Sequence, residues 1–246
     1  MQADSFVSLQ LVFEDRYCET FQQLVVALVN DQPEFADAPV ELPPPFTAGG
    51  TGGFARELPK VLGQKLQRTR SQPTMVIAVA DADRPQNLLT KPRPAPIGAS
   101  ELTTWIAEFE RDWLAHLRTD PQIAPHSDRL AVCIIRWSKE SVISAATSAL
   151  LQRRKGAAQS VLDACTPRLD AIANDEFVSV YRRPDQCMDA VVQRWLGRPY
   201  KKGREGSDLL GEIARMPEAR DEVRRRSPDV VRLVTLIADH ARAQRA

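Results

Sequence analysis

Apolar residues in this chain fall into two kinds of run. The first kind is short and nearly continuous. SLQLVF at Ser8–Phe13, TMVIAVA at Thr74–Ala80 and LAVCIIRW at Leu130–Trp137 read as strands. The latter two are apolar almost throughout, the pattern of central parallel strands covered on both faces. A shorter strand is predicted at Val40–Leu42. The second kind recurs every three or four positions and predicts helices. One spans 17–30, with Phe21, Leu24, Val25 and Leu28 on its apolar face. Others span 54–70 and 101–117, the latter with Trp105, Phe109 and Trp113 at four-residue spacing as a core face. Pro59 is expected only near the first turn of its helix. Further helices are predicted at 140–154, 158–173, 186–197, 207–215, 218–226 and 228–244. Residues 31–53 and 84–99 are punctuated by Pro and Gly and read as loops, among them the glycine loop TAGGTGG at Thr47–Gly53.

Strand and helix alternate over the first half of the chain, which argues an α/β fold around a parallel, Rossmann-like sheet. The rest is mostly helical. We expect an α/β domain over 1–155 and a helical C-terminal region over 156–246, packed on the first as a cap.

Composition narrows the class. The chain has 246 residues, 43% hydrophobic and 26% charged, with a formal net charge of +1. That balance suits a globular protein and argues against a strongly basic nucleic-acid-binding domain. No apolar run approaches the ~18 residues of a membrane span, and the N-terminus lacks the pattern of a signal peptide. Cys18, Cys133, Cys165 and Cys187 are scattered, with no CxxC spacing. Reduced thiols in a cytoplasmic protein are the expectation. The sequence leaves the oligomeric state open.

Candidate chemistry lies where apolar runs end in acids. The most hydrophobic strand runs directly into Asp81-Ala82-Asp83, the first ends at Glu14, and Glu140 follows the third. In a parallel sheet, ligands gather at the carboxyl ends of strands. Four carboxylates converging there would repel, and a divalent cation compensates most simply. Oxygen donors with room for water suit Mg²⁺ or Mn²⁺. In an extended chain Asp81 and Asp83 point to one side while Ala82 points into the packing. A lone Asp at a strand end more often caps the next helix, so the set of acids carries the reading. Asp15 is a further candidate ligand or cap. Glu19, one turn along the next helix, fits a solvated face better. Lys201 and Lys202, in the loop PYKKGREG, fit either a phosphate contact at a metal site or a solvated basic loop, the second at least as well. Arg224-Arg225-Arg226 fits either a phosphate-backbone contact or a cationic helix end. The glycine loop lacks the Lys-Ser/Thr ending of a P-loop, no GxGxxG follows the first strand, and no GxSxG exists.

The pattern Phe13-Glu14 … Asp81-Ala82-Asp83 resembles the Toprim fold of topoisomerases, primases and nucleases of the overcoming-lysogenization-defect type. It is most similar to small stand-alone bacterial Toprim-like proteins of the uncharacterised DUF4276 kind. Trp137-Ser138-Lys139-Glu140-Ser141 and Tyr200-Lys201-Lys202-Gly203 look like that family's later motifs. Glu14-Asp15-Arg16 departs from the usual Glu-Gly turn. The resemblance implies a Toprim sheet with a helical extension. It also implies an Mg²⁺- or Mn²⁺-dependent nuclease, with Glu14, Asp81 and Asp83 on metal, Glu140 as ligand or general base, and Lys202 on the phosphate. It further implies a nucleic-acid substrate, DNA being the expected one, and a setting in bacterial antiviral defence with an ATPase partner. The rival reading is a non-catalytic Toprim-like subunit that docks on a partner protein. A small-molecule phosphohydrolase is weaker, because Arg84-Pro85 does not continue the DxD as that class requires.

Overall fold

A computed structural model describes residues 6–14, 18–48, 54–67, 75–82, 88–89, 99–135, 139–146, 149–150, 188–193 and 197–246. The helix expected over 158–173, the glycine loop from Gly49, Asp15 and Asp83 lie outside them. Four strands, β1 (Leu9–Phe13), β2 (Phe46–Thr47), β3 (Met75–Asp81) and β4 (Leu130–Ile135), form one sheet in the order β2-β1-β3-β4. Every pairing is parallel. Between the strands run α1 (Cys18–Asn30), α2 (Phe54–Gln67) and α3 (Ala99–Leu117), and α4 (Lys139–Ala145) follows β4. The chain ends in α5 (Lys202–Arg215), α6 (Pro217–Arg226) and α7 (Pro228–Arg245). The α/β class and the parallel sheet agree with the sequence pattern.

Strand alternation sorts the core into two layers. Leu9, Leu11, Phe13, Ile77, Val79, Cys133 and Ile135 face one side and pack with Phe21, Leu24, Val25 and Leu28 of α1. Val12, Val76, Ala78, Ala80, Leu130, Val132 and Ile134 face the other and pack with α2 and α3. Trp105, Phe109 and Trp113 are buried there, so the four-residue stripe is core. Leu209, Leu210 and Ile213 of α5, Val223 of α6, and Leu233 and Ile237 of α7 join the α1 layer. The C-terminal helices therefore share one apolar core with the sheet. Pro217 and Pro228 each open a helix, where a missing N–H costs nothing. No helix among the described residues is long and apolar enough to cross a membrane.

Three local expectations are corrected. The strand expected at Val40–Leu42 is a single bridge from Glu41 to Phe6, and the paired strand is Phe46–Thr47. Pro43, Pro44 and Pro45 separate the two and cannot donate to a ladder. Gln22 Nε2 and Gln10 Nε2 instead donate to the Pro43 and Pro44 carbonyls, both at 2.9 Å. Pro59 lies inside α2, beyond its first turn. Burial of Leu58, Leu62 and Leu66 holds the helix through the hydrogen bond that proline gives up. The segment from Lys202 is not loop but the first turns of α5. Gly203 and Gly206 weaken local helix propensity, and packing on α1 and α4 overrides it.

Among the described strands β4 stands at the end of the sheet, and a charged clasp closes its outer edge. Glu110 of α3 accepts the Ile134 backbone N–H at 2.6 Å, and Arg232 of α7 donates to the Ile134 carbonyl at 3.0 Å. Arg232 also donates to Glu110 at 2.6 Å and pairs with the buried Asp229 at 3.5 Å. A helix from each face thus meets around the edge, which blocks pairing with another strand. Burial is the main influence on Glu110 and pushes its carboxyl up to about 7, against the opposing pull of Arg232 and the Ile134 N–H. Cys133 beside it is pushed up to about 12 by burial and is an inert thiol.

The sign of the resulting pH dependence follows from linkage. Glu110 titrates at about 7 in the fold and near 4.5 when unfolded, so the native state holds the proton more tightly between these values. Its contribution to stability is full below about 4.5 and is lost as pH rises toward 7. His240, lowered by burial, works the other way below its ordinary 6.5. Comparison with Glu110→Gln isolates the first effect. In urea denaturation from pH 4.5 to about 8.5, the wild type should lose stability relative to Glu110→Gln by at most roughly 3 kcal/mol, with the change levelling off above about 8. A pH-independent difference would show that Arg232 keeps Glu110 ionised throughout.

Candidate active site

The strand order decides where a site can form. The chain leaves β1 to build β2 on one side and returns to build β3 on the other. Such a reversal opens a crevice at the carboxyl ends of the two central strands. Phe13 lies opposite Val79 in the register, so Glu14 and Asp81 both fall at that crevice. They line one cleft, together with Cys18 at the start of α1 and Lys139 at the start of α4. Phe13, Phe21, Val79 and Ile135 form its apolar walls. The rings of Phe13 and Phe21 meet edge to face, 5.8 Å between centroids. The cavity measures about 40 Å³. That holds an ion or a water or two, whereas a pocket enclosing an organic ligand needs roughly 300 Å³ or more.

Each side chain arrives by a different route. Glu14 is in a bend directly after β1, which turns it out of strand alternation and into the cleft. Asp81 ends β3 and pairs in register with Ile135 of β4. Both carboxylates are partly exposed. Ala82 is 1% exposed and packs in the α2–α3 layer, as DxD spacing on an extended chain requires. Lys139 is 9% exposed and is one of the residues that line the cleft. The sequence reading passed over Lys139, because position after a strand does not tell which of Lys139 and Glu140 turns inward.

Glu140 stands behind the cleft rather than in it. It is completely buried, is not among the lining residues, and accepts a hydrogen bond from the Tyr200 hydroxyl at 3.4 Å. The segment carrying Tyr200 is fastened on several sides. The Tyr200 N–H donates to Asp189 at 2.7 Å, and Glu205 receives the Lys201 N–H at 3.0 Å and Arg198 at 2.7 Å. Gly206 lets α5 approach this cluster. A Cβ there would lie 2.5 Å from the Tyr200 hydroxyl and 3.6 Å from Lys139 Cε. Lys202, by contrast, is exposed at the start of α5 and outside the cleft lining. Of Tyr200-Lys201-Lys202-Gly203, it is Tyr200 that contacts Glu140 behind the cleft.

Elsewhere, candidate residues are accounted for structurally. Arg224 is tied to Asp31 and Asp221, and Arg225 to Glu222 at 3.4 Å. Burial opposes charge on Asp31, but Arg220 and Arg224 outweigh it and hold the carboxyl below its ordinary range. These arginines bind α6 to the end of α1. Glu19 is exposed on its helix, as expected. Among the described residues no group of three or more His, Cys, Asp or Glu side chains gathers to hold a metal. No protein-family model, curated protein or solved structure matches the chain.

The contact between Gly206 and Tyr200 yields a double-mutant test. Gly206→Ala gains helix propensity, about 1 kcal/mol, but must push the phenol away from Glu140. We expect Gly206→Ala to lower stability in the wild type and to raise it in a Tyr200→Phe background, where the oxygen is gone. Urea denaturation of the four proteins should give a coupling energy on the order of 1–2 kcal/mol. Additive effects would mean that Tyr200 does not press on α5.

Proposed function

We propose that the cleft between β1 and β3 is the site of Mg²⁺- or Mn²⁺-dependent phosphodiester cleavage of nucleic acid, DNA before RNA. One observation carries this reading. Glu14 and Asp81, brought from separate strands to the switch point of a parallel sheet, line a cavity of about 40 Å³. The donor chemistry fits a hard cation: two carboxylates and space for water, with Cys18 the one thiol and no imidazole among the described lining residues. When bound, such an ion activates water and stabilises charge on a phosphate. Glu14 and Asp81 would hold it, with Asp83 two residues beyond Asp81 in sequence. Glu140 orients Tyr200 and the start of α5 rather than touching the reacting atoms. The cavity's size favours a polymer laid across its mouth over a small molecule enclosed within it. The Toprim resemblance supports the same reaction and extends it to bacterial antiviral defence with an ATPase partner.

The direct test incubates plasmid, single-stranded DNA and RNA with the protein and Mg²⁺ or Mn²⁺, comparing wild type with Asp81→Ala. Cleavage should require metal and fall on the order of 10²–10³-fold in the variant, the usual cost of removing one electrostatic stabiliser. No cleavage, with no metal-dependent rise in melting temperature, would favour the interaction-subunit reading.

A further inference from the structure

The cleft carries a positive charge that the carboxylate reading does not explain. Lys139 is 9% exposed, yet lysine is rarely buried unless its charge is answered. It shares the cleft with Glu14 and Asp81. Its stem lies against α5, where Gly206 leaves room: Cε is 3.6 Å from the point a Cβ would occupy. Glu140, the next residue, is buried and receives Tyr200, which fixes the start of α4 from behind. Lys139 is therefore held at the cleft, whereas Lys202, exposed at the start of α5, is not among the residues that line it.

The balance of charge gives the lysine a task. With both carboxylates ionised, the two acids and one lysine among the described lining residues sum to a net negative charge, which repels a phosphate anion. A divalent cation held by the acids reverses that sign, and a phosphodiester then neutralises the whole. We propose that Lys139 is the phosphate-holding group of this cleft, and that it acts only when a divalent cation balances Glu14 and Asp81. Metal and phosphate binding are then coupled, each raising affinity for the other. A cleft of about 40 Å³ suits an ion and a few oxygen atoms, which leaves the bulk of a nucleotide at the mouth. The identity of the substrate rests on the nuclease reading; the phosphate site does not.

The full chain is titrated with thymidine 5′-monophosphate, with and without Mn²⁺, and binding is read as a rise in melting temperature. Cleavage of a labelled oligonucleotide is followed in parallel. The nucleotide should stabilise the wild type only when Mn²⁺ is present. Lys139→Met should keep the response to Mn²⁺ alone, lose the response to nucleotide, and lower kcat/KM by about 100-fold or more. Lys139→Arg should restore part of the nucleotide response. Met preserves the length and apolar stem of lysine; if it fails to fold, Lys139→Gln replaces it in the same comparison. A nucleotide response that survives loss of Lys139, that needs no metal, or that vanishes in Lys202→Met instead would overturn the proposal. A metal-gated, Lys139-dependent response without cleavage would keep the phosphate site and remove the nuclease reading. Cleavage undiminished in Lys139→Met would do the reverse, and neither response nor cleavage would remove both.

Discussion

The structure depends on the double burial of β3. This strand is hydrogen-bonded to β1 along one edge and to β4 along the other, and a helical layer covers each face. Val76 to Ala80 are all at most 3% exposed. No charge is tolerable along that length, because nothing there could solvate or pair it. The first position that escapes both layers is Asp81. The abrupt change from Val-Ile-Ala-Val-Ala to acid is thus the chain's record of where the core ends. A carboxylate placed there is held at the end of a strand that is paired on both edges and packed on both faces, which is the support a group meant to meet a ligand requires.

The helices after β4 finish this arrangement. Without α5, α6 and α7, the face of the sheet beside α1 would lose Leu209, Leu210, Ile213, Leu233 and Ile237 from its cover. Each such buried side chain contributes roughly 1.5–3 kcal/mol. The same helices reach the sheet's working end and its edge. Gly206 and Tyr200 support Glu140 and the start of α4, while Arg232 closes β4 with Glu110. The cap therefore positions one wall of the cleft as well as burying the core.

How much of this was legible depends on what each signal encodes. Periodicity reports burial, so β3, β4, the aromatic stripe of α3 and the α7 helix were readable to within a few residues. The carboxyl-end rule then placed Glu14 and Asp81 together. Signals that depend on partners were not readable. The proline run at Pro43–Pro45 hid which residues pair with β1, because Gln10 and Gln22 answer its carbonyls from elsewhere in the chain. Gly203 and Gly206 of α5 read as a loop, since the reason for Gly206 is the approach of Tyr200. Arg224 looked available until Asp31 was seen beside it.

The largest difference lies in the charge of the site. Reading acids along the sequence gathers Glu14, Asp81, Asp83 and Glu140 as one cluster. In the fold, Glu140 is withdrawn to Tyr200 and Lys139 takes the place beside the strand ends. Adjacent residues on a first helical turn point in directions about 100° apart, so only one of Lys139 and Glu140 can face the crevice. Four ionised carboxylates around a cavity of about 40 Å³ would repel one another strongly in its partly apolar walls. Two carboxylates with a lysine cost far less to keep ionised, and the cleft can persist before any ion arrives. The helix that follows β4 sets this composition by presenting its first residue to the cleft and burying its second.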